Sequence, residues 1–329
     1  LLAGGSVWKE PFVNRIPAWL ALLIAVVSGA FIAVQARLNG ELGARLGDGF
    51  TAAAISFGGG LLILTVGLAV SRTGRRGLST VATAVRRREM PWWTVLGGCA
   101  GAFLVLSQGL TAAALGVALF TVAVVAGQTA SGLVLDRIGF GPGGVVGFTV
   151  QRVLGAVVAL VAVGVAVSGE LGGSIPLGLL ILPLLAGIGI GWQQAVNGRV
   201  KMRAQSTLAA TFINFIVGTV VLVVAAVLHA LFVAPPGALP GEWWLYLGGP
   251  IGCVFIAVAA FLVQHTGVLI LGLGTVAGQT LSALALDVFL PTDDGGVHVS
   301  TVVGTLLAFA AVAIASARFR RRPAAPAGA

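Results

Sequence analysis

Residues able to do chemistry are few in this chain, and they recur. "VAGQTASGLVLD" at 125–136 sets Gln128, Thr129, Ser131 and Asp136 in an apolar segment, and "VAGQTLSALALD" at 276–287 repeats the pattern with Gln279, Thr280, Ser282 and Asp287. Gln35 and Asn39 stand four apart in "VQARLNG", as do Gln193 and Asn197 in "WQQAVNG", with Trp192 and Gln194 beside them. Amides and hydroxyls donate and accept hydrogen bonds; they are not by themselves a reaction centre. Catalysis needs a nucleophile with a base, paired carboxylates or a metal-ligand set, and none occurs in reach of one another. Cys99 and Cys253 sit alone in apolar runs, as small buried residues do. Recognition of a solute through hydrogen bonds is the chemistry on offer. Asp287, and Asp136 after it, could carry a proton. No enzyme activity, metal or cofactor is expected.

The elements that position these residues follow from composition. Hydrophobic residues make up 58% of the 329 and charged residues 9%, and the mean hydropathy is +1.05, outside the range of a water-soluble domain. An integral membrane protein is expected. About 20 apolar helical residues span the roughly 30 Å hydrocarbon core. Ten such runs read as helices over 17–38, 51–71, 92–112, 116–136, 146–168, 177–197, 208–232, 242–264, 267–287 and 299–317. None alternates polar and apolar residues as a barrel strand would. The first run is too long and polar-ended for a cleaved signal peptide and is expected to remain in place.

Charge placement supplies the topology. Net charge is +9, but the basic residues cluster between apolar runs instead of lining one soluble face, which argues against nucleic acid. With a cytoplasmic amino terminus and ten spans, 16 of the 19 Lys and Arg fall inside. Both termini are then cytoplasmic. Arginine-rich, Ala-, Gly- and Val-rich usage suits a GC-rich bacterial genome, hence a bacterial plasma (inner) membrane.

The repeat extends past the glutamine segments. "WWTVLGG" at 92–98 matches "WWLYLGG" at 243–249, and this match and the glutamine pair both lie 151 residues apart. Gln35, Asn39 and Gly40 match Gln193, Asn197 and Gly198 at an offset of 158, as do Ser56-Phe57 and Asn214-Phe215. The chain thus divides into a cytoplasmic segment at 1–16, a five-helix repeat at 17–168, a second at 177–317 and a basic, Pro/Ala-rich tail at 318–329. Five helices per half is an odd number, so the second half enters the membrane upside down. The loops agree: 72–91 carries six arginines, while 233–242 carries no Lys or Arg.

Within the fourth run Gln128 falls close to the bilayer midplane, and Gln279 does so in the ninth. An amide there must find a partner, either another helix or a solute and its waters. Gln128, Gln279, Thr129 and Thr280 are therefore expected to bind solute, with Gln35, Asn39, Gln193, Asn197 and Trp192 shaping the site. Asp136 has Arg137 and Arg152 at hand; Asp287 has no arginine at the matching places, Val288 and Val303. No Glu or Lys lies mid-helix to balance a lipophilic cation, so a neutral or zwitterionic hydrogen-bonding solute fits better. Trp192 alone leaves room for a cation.

"GAFIAVQARLNGELG", "AISFGGG", "WWTVLGGCAGAF" and "VAGQTASGLVLD", with their second-half echoes, resemble the YdcZ-like family of the drug/metabolite transporter superfamily over most of 20–317. That resemblance implies a ten-helix inverted-repeat fold. Its cavity would be lined by the first, third, fourth, sixth, eighth and ninth runs, with the fifth and tenth peripheral. The expectation is a secondary active transporter of a small organic solute working by alternating access, coupled to protons, as monomer or homodimer. The alternatives are an uncoupled, channel-like facilitator and a non-transporting scaffold whose amides only join helices.

Overall fold

A computed structural model describes residues 17–115, 117–141, 144–145, 147–168, 177–289 and 299–316. The described residues are helical or irregular, without strand. Ten α-helices follow in order: α1 (Ala18–Leu46), α2 (Gly49–Val70), α3 (Arg72–Arg86), α4 (Gly97–Leu115), α5 (Val117–Arg137), α6 (Val150–Val167), α7 (Ile181–Ala204), α8 (Thr207–Phe232), α9 (Gly248–Phe289) and α10 (Val299–Ser316). Short 3₁₀ turns at Trp92–Leu96 and Trp243–Leu247 lead into α4 and α9. The segments expected at 1–16 and 318–329 lie outside the described residues.

Five stretches are long and apolar enough to cross a membrane, by length and composition: Trp19–Leu46, Gly49–Val70, Trp92–Thr111, Thr207–Phe232 and Trp243–Val268. The protein is thus a multi-pass helical membrane protein, with five such stretches among the described residues against ten expected runs. One difference has a clear cause: the amides of α7 dilute its apolar character. The runs at 242–264 and 267–287 remain two helical segments of α9, which meet at the non-helical Gly267 (φ 74°, ψ 169°). A second difference is α3, a helix inside the segment read as a basic loop.

Helix ends are fixed by local chemistry. Gly47 closes α1 in the left-handed region (φ 62°) and Asp48 opens α2 by accepting from the N–H of Phe50 at 2.9 Å and of Thr51 at 3.3 Å. The α7–α8 turn repeats this form 158 residues on. Gln205 is left-handed (φ 50°), and the Ser206 hydroxyl accepts from Ala209 N–H at 3.2 Å. Asp48 also accepts from the Thr51 hydroxyl at 2.5 Å and lies 3.4 Å from His229 of α8. Asp48→Ala should therefore lower stability by about 1–2 kcal/mol, the upper range for a lost cap. An unchanged unfolding midpoint in detergent would contradict that role.

Packing pairs α1 with α9, α5 with α7, α2 with α8 and α6 with α10. The first two crossings are close and related. A Cβ on Gly29 of α1 would collide with the Thr275 carbonyl of α9, and one on Gly187 of α7 would collide with the Val124 carbonyl of α5. Glycine lets the backbones approach to dispersion contact where lipid offers no hydrophobic drive. Position 187 is 158 after 29, and 275 is 151 after 124, the same offsets as in the sequence repeat. On α6 and α10, Val153, Leu154, Val157, Val161, Val303 and Leu306 face outward, as a lipid-contacting pair would.

Candidate functional site

Gln128 and Gln279 reach the interior from α5 and α9 because the glycine crossings sit at their backbone: Gly187 lies against Gln128 N and Gly29 against Gln279 N. Both side chains are buried. The Gln128 Nε2 and the Gln279 Oε1 have no protein partner within hydrogen-bond reach. Gln128 lies against Gly272 of α9. Gln279 lines a cavity of about 10 Å³ with Ile32, Ala33 and Ala36 of α1, Leu104 and Gln108 of α4, and Thr121 of α5. That is room for about one water molecule.

Gln35, Asn39, Gln193 and Asn197 are placed differently. Each is buried where one half meets the other. Gln35 donates to the Gly248 carbonyl at 2.9 Å, and Gly252 lacks the Cβ that would strike its amide. Gln193 lies equally against Gly101. It donates to the Asn214 Oδ1 at 3.2 Å, and Asn214 in turn donates to the Asn197 Oδ1 at 3.1 Å. Asn39 donates to the Gln108 Oε1 at 3.4 Å and keeps an unpartnered Oδ1. The amides of each half therefore sit on the Trp-Trp-x-x-x-Gly-Gly helix start of the other. Trp192 is half-buried. Thr129 is buried; Thr280 is buried too and donates to the Val276 carbonyl of its own helix at 2.9 Å.

The sequence reading missed Gln108, which is fully buried with an unpartnered Nε2, and undervalued Gln194, whose amide has no partner on either atom. Their repeat counterparts are Ala259 and Ala36, so a search for duplicated polar residues passes over both. Their signal was simply an amide inside an apolar helix.

Asp136 lies at the C-terminal end of α5, buried, and is ion-paired with Arg152 of α6. Its Oδ1 accepts from Val268 N–H at 2.9 Å, directly after Gly267, where α9 breaks (φ 74°, ψ 169°). The carboxylate thus caps the second segment of α9, where a freed N–H and the helix dipole both favour negative charge. Asp287 is on the last turns of α9, and its side chain lies outside the described residues. No group of three or more His, Cys, Asp or Glu that could hold a metal occurs among the described residues.

No curated protein matches the chain in sequence. A solved structure described as "Crystal structure of protein" aligns with a TM-score of 0.61 at 18% identity, over 92% of this chain and 98% of its own, a likeness of fold alone. The sequence model of the DMT_YdcZ family, described as "Putative inner membrane exporter, YdcZ", matches residues 20–167 and 178–314. These two segments are the halves that carry the amide crossings, and the family's description is that of a transporter, not an enzyme. The chain belongs to the DMT_YdcZ family.

Proposed function

We propose that this protein is a secondary active transporter that moves a small, neutral or zwitterionic hydrogen-bonding solute across a bacterial inner membrane. In this reading ten spans form two inverted five-helix repeats with both termini cytoplasmic. The halves rock against one another at the α1–α9 and α5–α7 crossings, as repeat-built transporters do. The mirrored glycine contacts and the two matched family segments support that arrangement.

One observation carries the functional reading. Buried mid-helix amides keep unpartnered polar atoms, Gln128 Nε2, Gln279 Oε1, Asn39 Oδ1 and Gln108 Nε2, where helices of both halves converge. Such atoms cost free energy unless something meets them. The set offers donors and acceptors without an ionised group, which suits a solute of the same kind. A cavity of about 10 Å³ admits no organic molecule. Solute entry therefore requires the helices around it to part, as alternating access supposes. Gln35, Asn39, Gln193 and Asn197, each set against a glycine of the other half and with Gln35 hydrogen-bonded across, are suited to make and break contacts as they part.

Coupling falls to Asp287 in this account. Asp136 shares its position in the repeat but holds Arg152, whereas the places matching Arg137 and Arg152 beside Asp287 are valines. The sequence thus sets fewer cations beside Asp287 than beside Asp136, which makes Asp287 the candidate proton carrier. Proteoliposomes loaded with a panel of neutral metabolites provide the test. The native chain should accumulate one of them against its gradient when a pH gradient is imposed, and Asp287→Asn should retain exchange while losing accumulation. Accumulation by Asp287→Asn equal to the native protein would remove Asp287 from the mechanism. Equilibration that never exceeds the gradient would indicate a facilitator.

A further inference from the structure

The segment between Val70 and Trp92 is held at the membrane face by both ends. It follows one candidate span, Gly49–Val70, and precedes another, Trp92–Thr111. Trp92 is exposed, as an aromatic residue at headgroup level is. Within it α3 opens on the Ser71 hydroxyl, which accepts from Gly74 N–H at 3.0 Å, and Arg75 donates back to the Leu68 and Ala69 carbonyls at the end of α2. The helix therefore lies against the end of the bundle.

Its two faces differ sharply. Gly74, Gly77, Val81 and Ala84 are buried against the α7–α8 turn, where a Cβ on Gly77 would meet the Ala204 carbonyl. Arg72, Arg75, Arg76 and Arg86 are exposed on the other side, followed by exposed Arg87 and Arg88. No acidic residue occurs between Asp48 and Glu89. Next to the end of α3, Met90, Pro91, Thr94, Arg199, Arg203 and Glu89 line an open cleft of about 200 Å³. Glu89 is paired with Arg203. Arg199 is held over the Phe140 ring, 4.9 Å from its centroid. The matching segment of the other half, 233–242, has no Lys or Arg, so the feature is one-sided.

We propose that this shelf, α3 with the adjoining cleft, docks the headgroups of anionic phospholipids and so fastens the α7–α8 turn to the membrane surface. Six arginines with no acid among them, tethered at headgroup depth, face the charge of such lipids at short range, where screening by salt is least. A soluble nucleic acid would have to approach the same face against the bilayer. The inference rests on the membrane placement of the chain and not on transport.

The test uses the full chain purified in detergent and follows its unfolding temperature on titration with phosphatidylglycerol or phosphatidylcholine. Phosphatidylglycerol should stabilise it more, and added salt should reduce the difference. R76Q/R86Q/R87Q/R88Q, which spares the arginines bonded to the bundle, should lose the difference, while R76K/R86K/R87K/R88K should keep most of it. R86Q alone should weaken the apparent lipid affinity about fivefold. Equal stabilisation by both lipids, or a glutamine variant that still distinguishes them, would overturn the proposal. So would stabilisation by inositol hexakisphosphate matching that by phosphatidylglycerol, which marks a soluble polyanion site.

Discussion

Leucine at both Gln128 and Gln279 is expected to abolish solute uptake and leave a folded protein. Leucine fills nearly the volume of glutamine, so packing at the α1–α9 and α5–α7 crossings survives. The substitutions also delete two amides that hold unpartnered atoms in the interior. Each such atom costs about 1–3 kcal/mol, so the unfolding midpoint should stay or rise. Uptake should respond in the opposite sense. A solute whose polar groups lose both partners pays its own desolvation unrelieved, and loss of one such hydrogen bond weakens recognition by roughly 10- to 100-fold. Radiolabelled uptake beside a thermal scan of the same preparation separates the two effects. Normal uptake with normal stability would leave these amides as interhelical joints.

Asp136→Ala has the largest expected effect on stability. Its carboxylate is buried, paired with a nearly buried Arg152 and bonded to Val268 N–H at the break in α9. Removing it strands a guanidinium in low dielectric and orphans a helix start. Breaking one side of a buried pair costs about 3–5 kcal/mol. Removing both charges should recover much of that, so Asp136→Leu with Arg152→Met should unfold at a higher temperature than Asp136→Ala. If the double variant is no better, the damage lies in the lost cap to α9 and not in the stranded arginine.

Much of this was legible in the sequence because duplication prints itself. The 151- and 158-residue offsets, read from identical residues, reappear as paired close approaches, to backbone at Gly29 and Gly187 and to the Gln193 and Gln35 amides at Gly101 and Gly252. Arg152 was one of two named partners for Asp136, and spacing alone could not choose between them. The break in α9 was legible, because the eighth and ninth runs part beside Gly267, where the backbone leaves helical geometry. What was hidden is that Asp136, 131 positions before that glycine, caps the restart. No local pattern carries that information. Helix α3 escaped because its buried face is built of Gly74, Gly77, Val81 and Ala84, too small to register as an apolar stripe among arginines. Their spacing of three or four, after a Ser71 cap, was the available clue.

The central claim is that Gln279 belongs to a chamber that opens to water. Cysteine at 279, in a chain carrying Cys99→Ala and Cys253→Ala, reports on it directly through labelling by a membrane-impermeant maleimide applied to intact cells and to inside-out vesicles. The account predicts labelling from at least one side, slowed by the transported solute, although the side chain is only 6% exposed in the closed arrangement. A residue that stays unlabelled from both sides, in a variant that remains folded, would contradict it.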